Sequence, residues 1–171
     1  MKIYGHFIHG QEIPAANREI FPSYAPMTGE ILGHAARGTE ADVEAAVTSA
    51  RKGYEHWSSL PPYEREKILL KCANQVEAQY DRLLNLLIDE SGSSIIKAKY
   101  EVLYTASVFR AAAGEVRRMV AGTLPNEKPH RMSMVVREPV GVVLAISPFN
   151  APLVLLAKMI AFPLGAGNAV I

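Results

Sequence analysis

Glu138-Pro139-Val140-Gly141-Val142-Val143-Leu144-Ala145-Ile146-Ser147-Pro148-Phe149-Asn150-Ala151-Pro152-Leu153 reads as strand, turn and helix. Val140 to Ile146 is an unbroken apolar run of strand length, rich in β-branched residues. That composition predicts a strand covered on both faces in a parallel sheet. Ser147-Pro148-Phe149-Asn150 ends it. Pro152 stands where a first helical turn tolerates a missing N–H, and Leu153 to Phe162 predicts a nearly all-apolar helix. Asn150 is thereby placed where strand ends and helix begins. In open α/β sheets, ligands bind in that crevice, at the carboxyl ends of strands.

Upstream, His9-Gly10 between Ile3–Ile8 and Glu12-Ile13 predicts a tight turn, with further extended pieces at Glu19-Ile20-Phe21 and Ile31 to Ala35. Thr39 predicts an N-cap with acidic residues in the first turn. Val43, Ala46, Val47, Ala50, Tyr54 and Trp57 then share one helical face. A second helix, about Tyr63 to Gln79, turns Leu69, Cys72, Ala73, Val76 and Tyr80 inward, while Glu64-Arg65-Glu66-Lys67 reads as a solvated face. A third begins at Asp81 and stops at Gly92. A fourth, from about Ser94 to Val120, carries Val102, Ala106, Phe109, Ala113, Val116 and Val120 at helical spacing. Gly122 to Pro129 is turn-rich, and Arg131 to Arg137 alternates like an edge strand with no obvious mate in the sequence, a type of edge often covered by another subunit.

Hydrophobic residues make up 49% and charged residues 20% of 171, with a formal net charge of +1. Those values give no support to a disordered chain or to nucleic-acid binding. Cys72 is the single cysteine, so no internal disulfide framework or zinc cluster is available, and a cytoplasmic setting is expected. The five histidines show no metal spacing. Met1 to Gly10 alternates rather than forming the apolar region of an export signal, and Pro148, Asn150, Pro152, Lys158 and Pro163 interrupt the apolar C-terminal third, so membrane insertion is not expected.

Glu-Pro-Val-Gly-Val-Val followed by Pro148-Phe149-Asn150, with Gly167-Asn168-Ala169-Val170 downstream, resembles the NAD(P)-dependent aldehyde dehydrogenase superfamily, and the resemblance extends back through nearly the whole chain. It implies an α/β fold, the N-terminal part of a Rossmann-like cofactor domain. Residues 1–121 would be its N-terminal helical part, 122–138 a β arm that mediates homo-oligomerisation, and 139–171 the first β-α-β unit of the cofactor sheet. The resemblance gives Asn150 the role of carboxamide donor to the oxyanion and sets Ile146, Ser147, Pro148 and Phe149 beside the nicotinamide half of NAD or NADP. On the residues alone, capping of the helix that follows is the leading reading of Asn150, and only the surrounding motif puts the donor role ahead. The resemblance further implies that a nucleophilic cysteine, a general-base glutamate and a cofactor-holding lysine follow Ile171. The 171 residues are thus expected to be inactive alone, as part of a longer dehydrogenase. Asn150-Ala151-Pro152, Ile160-Ala161 and Pro163-Leu164 look most similar to the branch acting on aromatic aldehydes such as vanillin or benzaldehyde. The alternative reading is a truncated, non-catalytic product with an oligomerising or regulatory role. Lys158 on the apolar helix has no assigned role, and the family usually has its lysine at the position of Met159.

Overall fold

The computed structural model of the chain describes residues 1–119 and 121–171. Five short strands come first: β1 (Ile3–Tyr4), β2 (His6–Ile8), β3 (Gln11–Ile13), β4 (Ile20–Tyr24) and β5 (Ile31–Ala36). Four helices follow, α1 (Glu40–Ser59), α2 (Pro62–Ala78), α3 (Tyr80–Ser91) and α4 (Ile95–Val116). The rest of the chain forms β6 (Gly122–Leu124), β7 (Ser133–Val135), β8 (Val142–Val143), α5 (Pro152–Gly165) and β9 (Ala169–Val170). This is a mixed α/β architecture, as expected.

The β2–β3 hairpin turns at His9 and Gly10, both at positive φ (54° and 74°). Two successive left-handed residues match the twist of the flanking strands, and glycine takes that conformation without steric cost. Strand β5 pairs parallel to β1 and antiparallel to β4. Helix α1 begins with a capping box: the Thr39 hydroxyl accepts from the Asp42 amide, and the Asp42 carboxylate accepts from the Thr39 amide. The same carboxylate accepts from the Ala16 amide at 3.0 Å, which ties the segment between β3 and β4 to the start of α1. These hydrogen bonds hold the Asp42 carboxyl below the usual carboxylate range.

The core lies among α2, α4 and α5, where Leu69, Ala73, Ala106, Ala112, Val116, Val154, Ala157 and Ala161 pack together. Small residues let the helices approach closely, and Gly165 shows how tightly. A Cβ there would lie 3.3 Å from a Val116 methyl and 3.4 Å from the Ala112 carbonyl oxygen. A second cluster of Leu84, Leu87, Ala98 and Val102 joins α3 to α4.

Several expectations are corrected. Arg65 is buried rather than solvated: its guanidinium reaches the carbonyls of Leu60 and Gly165. Val43 stays exposed, and α1 buries its apolar stripe only partly. Helix α4 ends at Val116, and Val120 lies outside the described residues. The regular strand in the arm is only Ser133–Val135, and it does have a mate, Gly122–Leu124, with Gly122 opposite Val135. Helix α5 continues to Gly165 with Pro163 in its last turn, losing only the bond that the missing N–H would make. The expected two-sided cover of Val140–Ile146 is not found either. Only Val142–Val143 is regular strand, and Val140, Leu144 and Ile146 are exposed, because α1 and α5 pack against the β8–β9 pair without reaching these alternate side chains.

Candidate active site

Strands β8 and β9 run parallel, with Val142 opposite Ala169 and Val143 opposite Val170. Backbone bonds carry the ladder further, from Ala169 N to Gly141 O (2.9 Å) and from Ala145 N to Ile171 O (2.8 Å). Beyond Ala145 the chain leaves the ladder and turns through 147–151 into α5. The Ser147 hydroxyl donates to the Pro152 carbonyl at 2.7 Å and closes this turn across its base. Phe149 and Asn150 stand at its tip, both exposed.

The first turn of a helix has amides with no intrahelical acceptor. In α5 the N-cap residue is Ala151, which has no side-chain acceptor to offer. Nor does Asn150 supply one: its carboxamide makes no hydrogen bond to another described residue, so the capping alternative is not what the structure adopts. The cap comes from elsewhere in the chain. Glu101, on α4, accepts from the amides of Leu153 (2.8 Å) and Val154 (3.3 Å) through Oε1, and from Lys97 Nζ (2.9 Å) through Oε2. Its side chain is fully buried, at 0% exposure. A carboxylate at a helix N-terminus also faces the favourable end of the helix dipole.

The other end of α5 is held with opposite polarity. The indole N–H of Trp57 donates to the Leu164 carbonyl (2.8 Å), and Arg65 Nε donates to the Gly165 carbonyl (3.2 Å). Burial lowers the Arg65 pKa from its ordinary value. The Asn168 amide side chain donates to the Pro163 carbonyl and accepts from the Gly141 amide, both at 3.0 Å. That one residue therefore fixes the end of α5 against the start of β8.

The residues singled out from the sequence thus fall together. Ile146, Ser147, Pro148, Phe149 and Asn150 line the carboxyl end of β8 and the turn that follows. Ile146 and Phe149 present apolar surface, at 76% and 91% exposure. Lys158 extends to the surface, its ammonium 5.0 Å from the centre of the Tyr104 ring, a cation–π arrangement. Cys72 packs against the α2–α4–α5 cluster, where burial pushes its thiol pKa up, the opposite of what a nucleophile needs. No three His, Cys, Asp or Glu side chains gather as a metal site among the described residues. No helix there is long and apolar enough to cross a membrane.

Reading Glu64-Arg65-Glu66-Lys67 as a solvated face hid Arg65, and Glu101 was assigned no role from the sequence. A signal was present for Glu101, which falls on the buried stripe with Ala98, Val102 and Thr105 and has Lys97 one turn before it.

The family model described as "Aldehyde dehydrogenase family" matches residues 13–171. The chain belongs to the aldehyde dehydrogenase family. It is 35% identical over 164 residues to a vanillin dehydrogenase of Pseudomonas fluorescens, covering 96% of this chain and 34% of that protein. Among solved aldehyde dehydrogenases, a salicylaldehyde dehydrogenase of Pseudomonas putida G7, complexed with salicylaldehyde, superimposes with a TM-score of 0.94 at 32% identity. That match covers 99% of this chain and 35% of the other. An NAD-dependent benzaldehyde dehydrogenase of Corynebacterium glutamicum superimposes with a TM-score of 0.93 at 30% identity, over 98% of this chain and 36% of the other. The chain spans about a third of the length of the aldehyde dehydrogenases it matches. The fold described above is thus that of the N-terminal part of these enzymes.

Proposed function

We propose that the protein of which these residues form part oxidises an aldehyde to the carboxylic acid with NAD or NADP, and that Asn150 donates to the oxyanion. The observation that carries this reading is the unengaged carboxamide of Asn150 beside a helix terminus already capped by Glu101. A side chain relieved of capping is available to a ligand. Attack on an aldehyde carbon builds negative charge on its oxygen, and a fixed N–H donor aimed at that oxygen lowers the barrier. Asn150 can supply that donor through Nδ2 without a proton transfer of its own. The turn closed by Ser147 and Pro152 limits how far it can move.

The residues at the carboxyl end of β8 suit a dinucleotide. Ile146 and Phe149 leave apolar surface open at a strand end, the position where open α/β sheets receive nucleotides, and the Ser147 hydroxyl is kept out of the way by Pro152. The dinucleotide, when bound, supplies the two-electron acceptor. Ile146, Pro148 and Phe149 would pack against its nicotinamide half and exclude water there. The 122–138 arm, with Leu124, Met132, Met134 and Val136 exposed, is read as the surface through which the enzyme forms a homo-oligomer. Similarity to vanillin, salicylaldehyde and benzaldehyde dehydrogenases supports an aromatic aldehyde as substrate.

In the active enzyme, Asn150→Ala lowers kcat by about 100- to 1,000-fold, corresponding to roughly 2.7–4 kcal/mol for one oxyanion donor. Unchanged turnover in a folded Asn150→Ala enzyme would sink the assignment. Rates on benzaldehyde and on a short aliphatic aldehyde test the substrate class; equal or faster turnover of the aliphatic one removes the aromatic preference.

A further inference from the structure

We propose that Glu101 is a positioning residue for Asn150, fixing the catalytic turn by capping α5 from a different helix. The proposal rests on the reading of Asn150 as the oxyanion donor. Most helices are capped by a residue of their own N-terminus, so the cap moves with the loop that carries it. In α5 the local position is Ala151, and the acceptor is a carboxylate 52 residues earlier in the chain for the Leu153 amide. The amides of Leu153 and Val154 are therefore fixed relative to α4, within the core. Asn150 lies inside the loop that the Ser147–Pro152 hydrogen bond closes, three positions after Ser147, two before Pro152 and three before the anchored amide of Leu153.

The carboxylate is itself anchored. Lys97 Nζ, which donates to its Oε2, also donates to the Ser93 hydroxyl at 2.7 Å, and Ser93 lies 3.2 Å from the Ser91 hydroxyl. The Glu101 carbonyl accepts from the Thr105 hydroxyl at 2.8 Å. Burying a carboxylate is costly unless it is fully hydrogen-bonded, and a simple N-cap serine or aspartate at position 151 would satisfy the same amides with less desolvation. What the buried arrangement adds is rigidity of the turn against the helical core. Reactive groups held within a fraction of an ångström gain far more rate than loosely held ones.

The test is a double-mutant cycle on the active enzyme, comparing kcat and KM of the parent, Glu101→Gln, Asn150→Ala and the double variant, each checked for folding by thermal unfolding. Glutamine keeps the shape and one acceptor but loses the charge. Glu101→Gln is expected to lower kcat about tenfold with KM changed less than about twofold, because charge-assisted bonds are about twice as strong as neutral ones. In the Asn150→Ala background the same substitution should change kcat less than about twofold, since the group being positioned is gone. Equal losses in both backgrounds, or a Glu101→Gln enzyme with parental kcat, overturn the proposal alone. An Asn150→Ala enzyme with parental kcat overturns the oxyanion reading and this proposal with it. If Glu101→Gln does not fold, Lys97→Met loosens the carboxylate while leaving it on the amides. Its kcat should fall about two- to threefold, again only where Asn150 is present, and a drop of equal size without Asn150 overturns the proposal.

Discussion

Between α2, α4 and α5, apolar side chains are shut away almost completely, Leu69, Ala106 and Ala161 among them, while at the carboxyl end of β8 the equally apolar Leu144, Ile146 and Phe149 stand open. The two regions share residue types and differ in what faces them. In the helical layer the inward stripes of α2, α4 and α5 meet one another, and the buried Glu101, Thr105 and Arg65 are hydrogen-bonded: Glu101 to two amides and an ammonium, Thr105 to a carbonyl, Arg65 to two carbonyls. Around the turn after β8 that closure stops, and Asn150 is left unengaged. The contrast separates residues that hold the structure from residues available to a ligand, and it can be attacked from either side.

The largest effect belongs to the closed side. Leu69→Ala removes a side chain at 1% exposure from the place where α2 meets α4 and α5. Such truncations cost about 2–5 kcal/mol through lost burial and the cavity left behind. Urea denaturation of the variant should show a midpoint well below the parent's. A loss under about 1 kcal/mol would mean that the helical layer is much looser than its packing indicates.

The same contrast explains what could be read from the sequence. Helical spacing marked Leu69, Ala73, Val102, Ala106 and Phe109 as inward, and the capping residue Thr39, the His9-Gly10 turn and the Gly92 stop were all legible, because each follows from local chemistry. Asn150 and its neighbours were legible as one unit because strand, turn and helix adjoin in the chain. Arg65 and Glu101 were not, since their partners lie 100 and 52 residues away and a charged residue is read as solvated until such a partner is known. The pairing of β6 with β7 was hidden for a similar reason: the turn residues Gly122 and Pro125 masked a strand that only its mate defines. The exposure of Val140, Leu144 and Ile146 escaped for the converse reason, that an apolar run states a need for cover and not what supplies it.

A smaller effect should appear at Asp42, where a carboxylate outside the main core closes a local network. Its pKa is lowered in the folded protein by hydrogen bonds from Thr39 and Ala16, aided by His6, whose Nε2 lies 3.8 Å away. A depressed carboxyl pKa contributes stability at pH values above the ordinary carboxylate range, and this is lost as pH falls through the folded-state value. Asp42→Asn should therefore be less stable than the parent at neutral pH, with the gap narrowing as the pH drops below the ordinary value of 3.8. Denaturation midpoints of the two proteins measured from pH 7 downward check this. A gap that is constant with pH would show that the carboxylate charge plays no part.

The smallest stability effect is expected on the open side, and its smallness is informative. Phe149 is 91% exposed, so Phe149→Ala removes almost no buried area. Surface substitutions of this kind usually change stability by less than about 0.5 kcal/mol. If the open apolar surface after β8 exists for the dinucleotide, the same variant should bind NAD or NADP more weakly while its denaturation midpoint stays with the parent's. Titration of the active enzyme with each dinucleotide, set beside the denaturation curve, separates the two roles. A shift of the midpoint by more than about 1 kcal/mol would move Phe149 to the structural side of the comparison, packed against protein rather than kept for a ligand. Unchanged affinity for both dinucleotides together with unchanged stability would leave its exposure without a nucleotide to explain it.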